Sequence, residues 1–186
     1  MNRPPHDVSD VLFSRERIAT RVDALVTAIA EGHGEDPLVL IGILRGSFIF
    51  LADLVRGLYR HRVPALVDFL TLESYGAGTA SSGAVRLARD FEIDVTGQDV
   101  LLVDDILDSG RTLTFAVGHL RARGAARVRT CVLLDKPARR AVPCEADYRG
   151  FEIEDTFVVG YGLDYAGRYR ELPHIARVTF PEGGAP

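Results

Sequence analysis

The sequence predicts an α/β fold with a mainly parallel central sheet flanked by helices, and three observations carry that expectation. Residues 38–43 form a continuously apolar, β-branched run, as expected of a strand covered on both faces. Asp99 to Asp105 holds a second such run, and each is followed by a segment of helical apolar spacing. Strands alternating with helices in this way build parallel sheets, whose ligands sit beyond the carboxyl ends of the strands.

In chain order, Ile18, Leu25, Val26 and Ile29 recur at helical spacing between Ser14, a suitable N-cap, and Gly32, a suitable stop. After the strand at 38–43, Phe48, Leu51, Leu54, Val55 and Leu58 resume the helical period. A strand is expected from Ala65 to Leu72. The next residues, ESYGAGTASSGA, are too rich in Gly and Ser to hold one conformation and read as a mobile loop. Val85 to Phe91 returns as an antiparallel strand. Asp99 to Asp105 feeds a helix from about Thr112 to Arg123 that stops at Gly124, and strands at Val128–Asp135 and Thr156–Tyr161 complete the set.

The chain has 186 residues with 47% hydrophobic content, enough for one core and too few for two ordinary domains. No run reaches the length of a membrane span, and the N-terminus lacks the order of a secretory signal, so a cytoplasmic protein without a membrane partner is expected. Cys131 and Cys144 have no metal-ligand spacing and are expected as reduced thiols. A formal net charge of −4 argues against a protein that coats nucleic acid.

Residues 100–113, VLLVDDILDSGRTL, run from an apolar strand through an acidic turn into a helix. Small and polar residues there let backbone amides close around an anion at the helix N-terminus, where the dipole favours phosphate. Ser109 and Thr112 add hydroxyl donors. Asp104 and Asp105 end the strand side by side, so alternation points them to opposite sides, and at least one must face the crevice. They suit ribose hydroxyls and magnesium. An isolated D-S-G would be an ordinary capping turn; the full segment points to a phosphate site.

This segment resembles the phosphoribosyl pyrophosphate-binding motif of type I phosphoribosyltransferases. GILRGSF at 42–48, LESYG at 72–76, LLDKP at 133–137 and FVVGYGLDYAGRYREL at 157–172 resemble, in the same order, stretches of the hypoxanthine-guanine phosphoribosyltransferases. The resemblance implies a single domain over 1–186 with the type I fold, a lid loop at about 73–84 and a small hood at about 137–186. It implies that Asp108, Ser109, Gly110, Arg111 and Thr112 hold the 5′-phosphate, with Asp108 also near purine N7 as proton acceptor. Asp104 and Asp105 would hold the ribose diol and share magnesium binding with Asp164. Leu44, Arg45 and Gly46 would bind pyrophosphate through a turn with a non-proline cis peptide, although the family often has lysine where this chain has Arg45. Arg170 matches an arginine that reaches pyrophosphate. Ser74 and Tyr75 match the catalytic lid, needed because an oxocarbenium-like ribosyl centre would be captured by water in an open site. Phe157 would stack on the purine, and the backbone at Val158 would read its edge.

Lys136 matches the lysine that recognises the exocyclic O6, and it is also the only lysine among 22 Lys and Arg residues. A chain that uses arginine for generic cations keeps lysine where arginine's planar fork does not fit. The activity implied is magnesium-dependent transfer of a phosphoribosyl group to hypoxanthine or guanine, forming IMP or GMP and pyrophosphate, by a homodimer or homotetramer. Rival readings are a preference for xanthine, a regulator that senses phosphoribosyl pyrophosphate while binding RNA or DNA, and a signalling receiver. The net charge disfavours the second, and the DSGRTL cradle disfavours the third.

Overall fold

Ser14 opens the first helix as its composition requires: the hydroxyl accepts the Arg17 amide at 3.3 Å, and α1 runs over Arg15–Glu31. Gly32 ends it at φ −87°, without the left-handed turn that glycine allows. The computed structural model describes residues 7–34, 36–75 and 84–179. Within them, β1 (Asp7–Phe13) precedes α1, and β2 (Leu38–Leu44), α2 (Phe48–Arg60), β3 (Ala65–Tyr75) and β4 (Ala84–Arg89) follow. Then come β5 (Asp99–Leu107), α3 (Arg111–Ala122), β6 (Arg127–Asp135), a 3₁₀ turn at Pro137–Arg139, β7 (Tyr148–Glu152), β8 (Val158–Val159) and β9 (Ile175–Thr179).

The larger sheet has the order β4-β3-β2-β5-β6-β7 and is parallel except for the β3–β4 pair. Alternation along each central strand sorts side chains to two helical layers. Leu38, Leu40, Leu101, Val103, Cys131 and Leu133 pack with α1 and α2, whereas Val39, Ile41, Val100, Leu102 and Val132 meet Leu113, Ala116 and Leu120 of α3. Burial of each large side chain is worth roughly 1.5–3 kcal/mol. The two layers explain why these strands read as unbroken apolar runs. Cys131 and Cys144 are free thiols, and burial pushes the Cys131 thiol far above its ordinary range. Among the described residues no helix is long and apolar enough to cross a membrane.

Several boundaries differ from the sequence reading. The strand expected over Thr156–Tyr161 is reduced to Val158–Val159, because Gly160, Tyr161 and Gly162 have φ of +99°, +51° and +103° and turn the chain away. It does not join the parallel sheet. It pairs antiparallel with β9, which in turn pairs with β1, in a second sheet of three strands. This second sheet draws on β1 as well as on β8 and β9, whereas β7, which falls inside the span of about 137–186 expected for the hood, belongs to the larger sheet. β7 carries no strand signature because of Gly150, where an added Cβ would lie 2.2 Å from the Leu133 carbonyl oxygen. The strand expected to end at Leu72 continues to Tyr75, where Ser74 and Tyr75 pair through backbone with Val85 and Ala84. The rest of the expected lid, 76–83, lies outside the described residues, as do the side chains of Ser74 and Tyr75.

Candidate active site

The carboxyl ends of β2 and β5 meet around a cavity of about 200 Å³. Its walls are Leu44, Arg45 and Gly46 from the turn after β2, Asp104 and Asp105 from β5, and Thr112 from the first turn of α3, with Ile43, Leu72 and Ile106 beside them. Alternation leads toward opposite faces of the sheet, yet both aspartates line this one cavity. β5 does not end at Asp105 but runs on to Leu107 beside β6, while its pairing with β2 stops at Val103, and the cavity opens just beyond that point. The Leu44–Arg45 peptide is cis. Asp104 is 6% exposed and its Oδ1 accepts the Asp105 amide at 3.0 Å. Burial, and then the neighbouring charge of Asp105, push the Asp104 carboxyl well above the usual range. Burial also raises Asp105, against hydrogen bonds and the more distant charge of Arg170, which lower it.

The turn into α3 is built on Gly110, with φ +82° and no room for a Cβ, which would meet Cys144 Cβ at 2.9 Å and the Val142 oxygen at 3.0 Å. Ser109 Oγ accepts from the Arg111 amide at 3.4 Å, and its carbonyl accepts from Ala141 and Val142. Ser109, Gly110 and Arg111 thus form the approach to the helix, with Thr112 in the cavity wall.

Asp105 and Ile106 are shared with a larger cavity of about 720 Å³, lined also by Asp108, Lys136, Arg139, Asp155, Phe157, Val158 and Asp164. Lys136 is 7% exposed, with Nζ 3.9 Å from Asp155 Oδ1. Arg139 bridges Asp108, at 3.2 Å, and Asp155, at 3.5 Å. Phe157 meets Tyr165 edge to face at 5.5 Å. The pocket thus offers an aromatic wall, a buried ammonium and an adjacent carboxylate, a combination suited to a flat, polar-edged heterocycle.

Two further groups hold these walls in place. Arg140 donates to the carbonyls of Leu107, Asp108 and Lys136 at 2.7, 2.6 and 3.0 Å and to Cys144 at 2.9 Å, and it pairs with buried Asp135. One guanidinium therefore ties the end of β5 to the end of β6. Asp164 lies on a hairpin whose Arg170 contacts Asp164 Oδ1 and the Gly162 carbonyl, each at 2.5 Å, while Asp164 Oδ2 accepts from Gly167 at 2.7 Å. Arg170 does not line either cavity; it reaches the site through Asp164.

The sequence reading did not single out Arg139, Arg140, Asp155 or Tyr161. Each of the arginines looks like any other in an arginine-rich chain, and Asp155 sits in a short acidic run that reads as a solvated loop. Only the tertiary fold brings Arg139, Arg140 and Asp155 to the strand ends, and Tyr161 against Asp53 of α2.

A family model described as the phosphoribosyl transferase domain matches residues 10–166. The hypoxanthine-guanine phosphoribosyltransferase of Bacillus subtilis is 42% identical over 170 residues, covering 91% of this chain and 93% of that protein. A bifunctional protein TilS/HprT of Listeria innocua is 44% identical over 171 residues, 91% of this chain, which spans only 26% of that longer protein. Among solved structures, Trypanosoma cruzi hypoxanthine phosphoribosyl transferase superposes with a TM-score of 0.87 at 41% identity, covering 96% of this chain and 95% of that one. With strand ends, acidic pair and aromatic-walled pocket arranged as described, the chain belongs to the hypoxanthine-guanine phosphoribosyltransferase family.

Proposed function

We propose that this chain is a purine salvage enzyme that transfers the phosphoribosyl group of phosphoribosyl pyrophosphate to hypoxanthine, and to guanine, forming IMP or GMP and pyrophosphate. The observation that carries the reading is the shared wall at Asp105, where an anion-accepting cavity at the start of α3 opens into a pocket holding Lys136, Phe157 and Asp108. The 5′-phosphate sits on the amides and hydroxyls of residues 108–112, and pyrophosphate sits on the Leu44–Gly46 turn with Arg170. Phe157 stacks on the base, the Val158 backbone reads its edge, and Lys136 donates to O6. N9 attacks C1′ as the bond to pyrophosphate breaks, and the N7 proton passes to Asp108. Ser74 and Tyr75 belong to the lid that keeps water from the ribosyl centre.

Magnesium fits the residues present. Asp104 and Asp105 crowd a buried and a half-buried carboxylate together, an arrangement that a cation relieves. Magnesium uses few carboxylates and takes its other ligands from water and phosphates, which suits so small an acidic set. Asp104 and Asp105 would hold magnesium on the ribose side and Asp164 would hold it on the pyrophosphate side, where it would supply charge neutralisation for the departing pyrophosphate. The protein is proposed to act as one domain over 1–186, in the cytoplasm, as a homodimer or homotetramer.

The test is nucleotide formation from phosphoribosyl pyrophosphate with hypoxanthine, guanine, xanthine and adenine in turn, with magnesium and in excess chelator. Hypoxanthine and guanine should react only with magnesium. A preference for xanthine, or full activity in chelator, would overturn the base assignment or the metal assignment respectively.

A further inference from the structure

We propose that Asp53 and Tyr161 form a positioning pair that sets the Asp164–Arg170 hairpin against the Leu44–Gly46 turn and so governs how tightly phosphoribosyl pyrophosphate is held; this rests on the roles just given to Asp164 and Arg170. Tyr161 and Gly162 are the centre of a two-residue turn closed by reciprocal hydrogen bonds between Gly160 and Leu163, at 3.0 and 3.1 Å. Both centre residues have positive φ, +51° and +103°. This is the turn geometry that favours Asn or Gly at its first centre, and a tyrosine adopts it only where its surroundings hold it there.

Two things hold it. The ring is 7% exposed and packs in the core shared with α1 and α2. The hydroxyl donates to Asp53 Oδ2 at 2.5 Å, and Arg56 fixes the other oxygen of that carboxylate at 3.0 Å. Burial and the Asp53 charge push the phenol far above its ordinary range, so the hydroxyl stays a donor. A phenylalanine would fill the core as well, so the hydroxyl needs another explanation. Packing does not supply it: Asp53 and Tyr161 also line a separate cavity of about 720 Å³, with Arg15, Asp23, Arg56 and Glu171 among its walls.

The turn passes that anchorage directly to the site. The Tyr161 amide donates to Leu172 at 2.8 Å and the Gly162 amide to Arg170 at 3.1 Å. Gly162 lies so close to the pyrophosphate turn that an added Cβ would stand 2.2 Å from the Gly46 carbonyl oxygen. The helix that begins after Gly46 is the one that carries Asp53. Hairpin and helix are therefore joined at two points, Gly162 on Gly46 and Tyr161 on Asp53. One contact would let the hairpin swivel; two fix its angle, and with it the placement of Asp164 and Arg170.

The experiment compares steady-state kinetics of the full chain with Tyr161→Phe, Asp53→Leu, Asp53→Asn and the Tyr161→Phe/Asp53→Leu double variant, with melting temperatures for each. Tyr161→Phe and Asp53→Leu should each raise KM for phosphoribosyl pyrophosphate about tenfold and leave KM for hypoxanthine within about twofold. Asp53→Asn keeps an acceptor and should stay near the parent, and the double variant should be no worse than either single one. An unchanged phosphoribosyl pyrophosphate KM, or single effects that multiply in the double variant, would overturn the pairing. So would a parallel rise in both KM values with a fall in melting temperature. Asp164→Asn, measured alongside, separates the two ideas. If it raises the phosphoribosyl pyrophosphate KM and Tyr161→Phe does not, only the positioning pair fails; if it too has no effect, the reading of the hairpin fails and takes the pair with it.

Discussion

The Asp105 carboxylate occupies the space that a side chain on Gly46 would need: a Cβ there would stand 1.5 Å from Oδ2 and 2.4 Å from Cγ. Glycine at 46 is thus required by the neighbouring strand's acid. Gly46→Ala should displace that carboxylate and lower kcat/KM for phosphoribosyl pyrophosphate by about 10²-fold or more, the scale of a misplaced site group. Kinetics close to the parent would show that the two cavity walls move independently.

Asp104→Asn should separate stability from activity. The folded-state pKa of Asp104 is raised, so between the ordinary carboxylate value and the raised one the folded chain binds more protons than the unfolded chain. The group's contribution to stability therefore falls as pH rises through that window. In magnesium-free buffer Asp104→Asn should melt higher than the parent at neutral pH, by about 2–4 °C for each kcal/mol gained, and the gain should vanish in acid below the window. Turnover should fall at every pH. Melts that coincide at neutral pH would remove the argument.

Asp108→Asn keeps the shape of the β5–α3 turn and removes the proton acceptor. The rate should fall by about 10² to 10⁴-fold, the usual loss for a general base, while phosphoribosyl pyrophosphate still binds. Isothermal titration beside single-turnover kinetics checks both halves, and an unchanged rate would leave Asp108 a partner of Arg139 and no more.

Arg140→Met should be the most destabilising of these changes. It leaves Asp135, 2% exposed, without its nearer cation and frees carbonyls at both strand ends. Breaking a buried pair costs about 3–5 kcal/mol, readable by chemical denaturation. Arg140→Lys should recover only part, because an ammonium cannot reproduce the fork's several donors.

Lys136→Arg should damage purine use more than phosphoribosyl pyrophosphate binding, and Lys136→Ala should weaken discrimination against adenine, whose 6-amino group would meet the ammonium donor to donor. The readout is the ratio of kcat/KM for hypoxanthine to that for adenine. Equal ratios and equal hypoxanthine efficiencies in all three proteins would remove Lys136 from the base pocket.

The larger sheet was legible because β2, β5 and β6 are covered on both faces and announce it with unbroken apolar runs. The acidic strand end and DSGRTL turn were legible because phosphate chemistry restricts which residues fit there. β7 was hidden by Gly150, present for close approach to Leu133, and β1 and β9 by short mixed segments that pair with strands far away in the sequence or, for β9, with the two-residue β8. Arg140 and Tyr161 were hidden for a different reason: their value lies in partners far along the chain, Tyr161 with Asp53 and Arg140 with the end of β5, which no local pattern encodes.

The pairing of β1 with β9 joins Val11 to Ala176 across nearly the whole fold, and β8, beside the Phe157 wall, depends on β9. Loop closure over such a span costs more than any pairing within the larger sheet, whose neighbours are nearer in sequence. During refolding the β2–β5–β6 scaffold should therefore recover its circular dichroism before hypoxanthine turnover returns, and the interval between the two signals times the arrival of the final strand.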